Sequence, residues 1–381
     1  MQIKRPRVMS GTHFMLGNFA AVEGALAAGC NFFAGYPITP ANEVSERMAE
    51  RMPEVGGKFL QGEDELCSIY ALAGAALAGA KVMTATASAG FDYMAEGIEY
   101  AISDEIPMVI MDVQRTRGEN FATQADVMQM RWGAAGDHEI IVLAPSSVQE
   151  LFDYTIRAFN LAEKYRNPVI IMSETTISLM RERLIIPPAD QIEIINRKMT
   201  MAKPVNYAPF RAEMGEVPEM APLGKGYNVL YSINPHNENG SIKWEPEIFE
   251  RQYQRITQKI LMNLDDIVTT DEYQTGDAEL ILIAYGSESR PCKDAVDIAR
   301  NQGKKVGLLK LNTVWPVPEK QILAATRKAN KILAVEMNMG KYAGEIERIA
   351  GCHSEVIRVT KNLGAIHTSG EIFAAIEEAL R

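Results

Sequence analysis

The sequence predicts an α/β protein in which a doubly wound parallel sheet is followed by a smaller α/β domain. Three observations carry this. Two stretches of the 381-residue chain alternate short apolar runs with longer segments of helical periodicity. The apolar runs, such as residues 107–113 and 280–285, lack polar alternation and so read as strands buried on both faces. A polar section rich in proline separates the two stretches. The boundaries fall at residues 1–185, a connector over 186–270, and a second domain over 271–381.

In the first stretch, residues 19–29 suit a small-residue helix ending at a glycine. Residues 32–35 are a strand that runs through Tyr36-Pro37-Ile38-Thr39-Pro40 into a helix beginning near Asn42. Residues 66–80 form a helix in which Gly74 and Gly79 allow close packing on a sheet. Strands follow at 81–86, 107–113, 140–143 and 168–172, with helices at 91–103 and 147–164. The connector offers one convincing element, a helix over 247–263 with Pro246 suited to its first turn. The rest of it reads as an excursion across the surface, available to contact another subunit; disorder is the alternative, and Tyr227, Val229, Leu230 and Tyr231 favour order. In the second domain, strands are predicted at 280–285, 305–311, 332–337 and 356–359, and helices at 288–302, 317–330, 343–350 and 370–380.

Composition excludes several functions. A formal charge of −10 with no basic block argues against nucleic-acid binding. No apolar run is long enough to span a bilayer, and the start lacks a secretory segment, so a cytoplasmic protein is expected. Cys30, Cys67, Cys292 and Cys352 are widely separated, and the five histidines are scattered, so no zinc, iron–sulfur or other metal site is encoded locally. No dinucleotide fingerprint, phosphate-binding loop or nucleophile elbow occurs either.

Three clusters can carry chemistry. Gln61-Gly62-Glu63-Asp64-Glu65 precedes a helix. Carboxylates there either answer the helix dipole or place one glutamate in a cleft, where it exchanges a proton with a heterocycle. Thr84 to Phe91 ends a strand with small hydroxylated residues that leave room for a ligand or simply make a turn. Asp112-Val113-Gln114-Arg115 ends another strand, and an arginine there can grip a carboxylate through two parallel hydrogen bonds or stand solvated. Thr39 lies at the carboxyl end of its strand, where open α/β sheets bind ligands.

These motifs occur in order with Arg131-Trp132-Gly133, Gly136-Asp137-His138-Glu139 and residues 143–150 (Leu-Ala-Pro-Ser-Ser-Val-Gln-Glu). Together they resemble the alpha subunits of 2-oxoacid:ferredoxin oxidoreductases, nearest in pattern to the 2-oxoglutarate branch. The resemblance implies a thiamine diphosphate enzyme divided between subunits. The alpha chain supplies a pyrimidine-side domain and a domain like the C-terminal domain of transketolase. A beta subunit supplies the diphosphate and magnesium site and iron–sulfur clusters. Gamma and optional delta subunits, ferredoxin and coenzyme A are the further partners implied. Carried over by position, Glu65 matches the glutamate on the aminopyrimidine ring. Ser88, Gly90 and Phe91 fall in the loop bordering the cofactor, and Thr39 and Arg115 match the positions holding the oxoacid carboxylate.

The chain also departs from the pattern. Residues 87–94 read Ala-Ser-Ala-Gly-Phe-Asp-Tyr-Met where the family usually has Ser-Gly-Pro-Gly-Phe-Ser-Leu-Met. Arg115 is followed by Thr116-Arg117-Gly118-Glu119-Asn120-Phe121 where Gly-Gly-Pro-Ser-Thr-Gly is usual. Arg117 suits a second carboxylate, as in 2-oxoglutarate, whereas Phe121 and Tyr93 suit an aromatic or branched oxoacid. Pyruvate is a further substrate alternative, and a non-catalytic scaffold subunit is the alternative of another class.

Overall fold

The computed structural model describes residues 8–116, 120–351, 353–362 and 364–381. Its strands are β1 (Gly11–Leu16), β2 (Phe32–Gly35), β3 (Lys58–Gln61), β4 (Val82–Thr86), β5 (Met108–Gln114), β6 (Ile141–Leu143), β7 (Pro168–Glu174) and β8 (Arg181–Ile186). They continue with β9 (Thr270–Tyr273), β10 (Leu280–Tyr285), β11 (Val306–Leu311), β12 (Thr313–Trp315), β13 (Lys331–Glu336) and β14 (Glu355–Thr360). A seven-stranded sheet has the order β12-β6-β7-β5-β4-β2-β3, and a five-stranded sheet the order β14-β13-β10-β11-β9. Among the described strands of these two sheets, the edge strands β12 and β9 run antiparallel to their neighbours and the rest run parallel. β1 and β8 form a separate antiparallel ribbon.

In the larger sheet the chain leaves β2 to one side to make β3, then returns to the other side for β4 and β5. That reversal between β2 and β4 is a topological switch point. Open α/β sheets bind their ligands outside the carboxyl ends of the strands at such a point. Alternation along the strands explains their uninterrupted apolar sequence. Val109, Met111 and Val113 of β5 face one side, packed with Phe33, Met83, Ile171 and the helices Gly17–Ala27 and Val148–Tyr165. Met108 and Ile110 face the other, where the core runs on without a break to Ile281, Ile283 and Trp315.

Helix Gly17–Ala27 lies close on helix Val148–Tyr165, since a Cβ on Gly24 would fall 2.5 Å from the Phe152 carbonyl oxygen. The packing expected at Gly74 is not found: its Cβ position faces open space, and Gly79 ends its helical region at φ +100°. The helix expected over 91–103 is broken at Met94 into Ala89–Tyr93 and Ala95–Ser103. β12 is the larger departure. Residues 313–315 read as a loop in the sequence, yet they leave the second sheet and pair with β6 of the first. Three residues are too few to display a period. Trp315 anchors the crossing by donating from Nε1 to the Val127 carbonyl at 2.7 Å.

The connector contains the expected helix, Pro246–Leu261, and is tied to the first sheet by buried charges. Arg197 pairs with Glu163 at 2.5 Å and donates to the Ala76 carbonyl at 2.8 Å. Arg166, fully buried, donates to the carbonyls of Glu105, Pro218 and Glu219. Glu105 is buried against Arg255 and Lys259. Burial opposes its ionisation, but the two cations outweigh it and hold the carboxyl well below the usual range.

Asp104 beside it is different. Burial pushes it up to about 7, against a hydrogen bond from Ser232 N–H, and its Oδ2 has no partner. The folded chain therefore keeps a proton on Asp104 that the unfolded chain releases near pH ~4. That stabilisation is complete below the unfolded value and is lost as pH rises through about 7. Asp104→Asn should stabilise the protein near pH ~8 by roughly 2–4 kcal/mol. The check is thermal unfolding of variant and parent at alkaline and mildly acid pH. The gap should narrow on acidification, and an equal gap at both would contradict the assignment.

Candidate active site

Because β3, β2, β4 and β5 are parallel neighbours, the loops that leave their carboxyl ends share one edge of the sheet. Glu65 follows β3, Thr39 follows β2, Ser88 follows β4 and Arg115 follows β5. Glu65 is the first residue of helix Glu65–Leu77, whose N-cap Asp64 accepts a hydrogen bond from Cys67 N–H at 2.6 Å. The helix N-terminus favours a carboxylate at this point. Glu65 is 7% exposed, and no cation among the described residues pairs with it. A Cβ on Gly90 would fall 2.4 Å from Glu65 Oε1 and 2.1 Å from Thr86 Oγ1, so only glycine lets the loop lie on this carboxylate. The Thr84 and Thr86 hydroxyls are buried without a partner. A buried carboxylate beside orphaned hydroxyls, under a loop with no side chain, fits one edge of a polar heterocycle.

Ser88, in the same loop, adopts φ +34° and ψ −85°, a conformation rare for a residue with a side chain. Its N–H donates to Asp112 Oδ1 at 2.7 Å. Its Oγ lies 2.5 Å from Asp126 Oδ2 and accepts from Arg115 N–H at 3.2 Å. Phe91 is turned away into the core, packed with residues such as Ile69 and Met94. Asp112 is wholly buried, and burial followed by the nearness of Asp126 raises it well above the carboxylate range. Burial raises Asp126 too.

A cavity of about 670 Å³ opens beside this loop, lined by Ser88, Arg115, Thr116 and Asp126 from the first sheet's edge, with Asn338 and Lys341 from the second sheet's loops. Arg115 lines it and forms no ion pair among the described residues, and its Nε is buried without an acceptor. The second sheet is held to this wall by Gln124, whose carbonyl accepts from Asn338 Nδ2 at 2.9 Å and whose Oε1 accepts from Met337 N–H at 2.9 Å.

The remaining expected residues are placed differently. Thr39 is exposed on the β2 loop and accepts from Asn42 Nδ2 at 3.1 Å, outside this cavity. Tyr93 and Phe121 are 68% and 54% exposed, and neither lines the cavity. Phe121 instead packs on Gly364, where an added Cβ would fall 2.1 Å away. Arg117 lies outside the described residues. Two groups had no signal in the sequence. Asn18, fully buried, donates to the Pro40 carbonyl at 2.8 Å and to Glu43 at 3.0 Å, fixing the turn that carries Thr39. Asp126 meets Ser88 only through the tertiary fold.

The first domain, a doubly wound sheet with a buried acid after β3, matches a thiamine diphosphate-binding family and is joined to a second α/β domain. Residues 23–255 match the family described as pyruvate flavodoxin/ferredoxin oxidoreductase, thiamine diphosphate-binding, and residues 278–371 match pyruvate:ferredoxin oxidoreductase core domain II. The chain belongs to this family and is a subunit of a multi-subunit 2-oxoacid:ferredoxin oxidoreductase. It is 44% identical to the 2-oxoglutarate synthase subunit KorA of Methanothermobacter marburgensis, over 97% of this chain and 99% of that one. It is 36% identical to the ketoisovalerate oxidoreductase subunit VorB of the same organism, over 90% of each. The solved 2-oxoglutarate:ferredoxin oxidoreductase from Magnetococcus marinus, with 2-oxoglutarate, coenzyme A and succinyl-CoA bound, aligns at TM-score 0.92 and 28% identity. The alignment covers 98% of this chain and 66% of that one. A split gene transketolase shares the fold at TM-score 0.57 and 11% identity. No helix among the described residues is long and apolar enough to cross a membrane.

Proposed function

We propose that this chain is the alpha subunit of a cytoplasmic enzyme that oxidatively decarboxylates 2-oxoglutarate, forming the acyl-coenzyme A and carbon dioxide and reducing ferredoxin. The observation that carries the substrate is the 44% identity, across nearly the whole chain, to a 2-oxoglutarate synthase subunit. A beta subunit is proposed to hold the diphosphate, magnesium and iron–sulfur clusters, with gamma and optional delta subunits completing the assembly.

Thiamine diphosphate, when bound, supplies the carbon that adds to the oxoacid and stabilises the charge left by decarboxylation. Glu65 exchanges a proton with the pyrimidine from a dry position at a helix N-terminus. Gly90 lets the loop pack on that carboxylate without a side chain between them, and the Thr86 hydroxyl gives the ring edge a second polar contact. Arg115 takes the oxoacid carboxylate in two parallel hydrogen bonds; Thr39, on the β2 loop and outside the cavity that Arg115 lines, is the further proposed contact. Arg117, two residues further on, is the proposed contact for the distal carboxylate.

The reaction class is tested by reduction of a low-potential acceptor in the assembled enzyme. Reduction should require both the oxoacid and coenzyme A. Oxoacid consumption without any acceptor reduction would instead mean decarboxylation without oxidation.

A further inference from the structure

Ser88 combines a strained backbone with a polar side chain fully engaged by protein groups. Its φ of +34° is one that side chains rarely adopt and that persists only when surrounding contacts enforce it. Here the enforcing contacts come from two acids. Asp112, at the end of β5, takes the Ser88 N–H, and Asp126, following the Arg115 loop, takes the hydroxyl. The Asp126 N–H is in turn fixed by Gln114 Oε1 at 3.0 Å. The Ser88 oxygen is left to accept the Arg115 backbone N–H at 3.2 Å.

We propose that Ser88 is a positioning residue that fixes the backbone of Arg115 and thereby sets the reach of its guanidinium for the oxoacid carboxylate. The proposal rests on the reading of Arg115 as the carboxylate contact. The same turn leads within two residues to Gly90, which lies on Glu65. One strained residue thus joins the loop over the acid to the loop carrying the arginine. The two carboxyls suit this task when they hold one proton between them. Asp112 Oδ2 is buried with no donor, and a proton there turns an orphaned acceptor into a donor toward Asp126. Asp126 then remains the acceptor for Ser88.

The test is steady-state kinetics of the assembled holoenzyme carrying Ser88→Gly, Ser88→Ala and, as reference, Arg115→Lys. Glycine accepts the positive φ freely but has no hydroxyl, so it isolates the side chain's role from backbone strain. Both Ser88 variants should raise KM for the oxoacid about five- to tenfold, with kcat falling much less, since an N–H left without its acceptor lets Arg115 shift. Unchanged KM in both Ser88 variants, with KM raised in Arg115→Lys, would overturn the positioning role alone. A loss confined to kcat would also overturn it, because the turn would then act on the Glu65 side. Unchanged KM in Arg115→Lys would remove the reading of Arg115 and this inference with it.

Discussion

Glu65→Gln should lower kcat by about 10²–10⁴-fold, the usual contribution of a positioned proton-transfer group, and leave the enzyme assembled. Glutamine keeps the length and shape of the side chain, and no cation among the described residues loses a partner. The N-cap at Asp64 is untouched, so helix Glu65–Leu77 should still form. What the substitution removes is the ability to hold and return a proton under Gly90. Size-exclusion chromatography of the complex and a turnover assay together check this. A variant that assembles and still turns over at the parental rate would make the chain a scaffold and place the chemistry in a partner.

Arg115→Lys should raise KM for every oxoacid the enzyme accepts by about 10- to 100-fold, equivalent to roughly 1.5–3 kcal/mol for charge-assisted hydrogen bonds. Lysine keeps the charge but loses the planar fork that meets both carboxylate oxygens at once. The Arg115 guanidinium is free to serve in this way because no described carboxylate pairs with it. Stability should barely change, for the same reason. Initial-rate measurements across oxoacid concentrations read the effect directly. A KM within twofold of the parent would mean that the carboxylate is held elsewhere.

Much of this architecture was legible because buried parallel strands leave unbroken apolar runs. β10 matches its predicted residues from Leu280 to Tyr285, and β5, β7 and β11 fall within about two residues of expectation. Several edge and short strands were not legible. β3 is mostly exposed, β1 and β8 form a ribbon with mixed burial, and β12 has three residues whose pairing depends on the other sheet. The site divides the same way. Glu65 and Arg115 could be proposed because the resemblance singles them out by position and each stands at the end of a recognisable strand or the start of a recognisable helix. Asp126 and Lys341 could not, because they reach the cavity from segments far apart in sequence. Ser88 read equally as a cofactor contact or as ordinary turn chemistry, and its strain is visible only in the backbone. Phe91 looked like a loop residue near the cofactor, but it lies within helix Ala89–Tyr93 and is buried in the core.

The substrate is the centre of the account, and one competition measures it: kcat/KM of the assembled enzyme for 2-oxoglutarate, pyruvate, phenylglyoxylate and 2-oxoisovalerate, each with coenzyme A and ferredoxin. The proposed function predicts a clear preference for 2-oxoglutarate that collapses in Arg117→Ala, because a dicarboxylate needs a second cation and a monocarboxylate does not. A higher kcat/KM for any of the three monocarboxylates would contradict it.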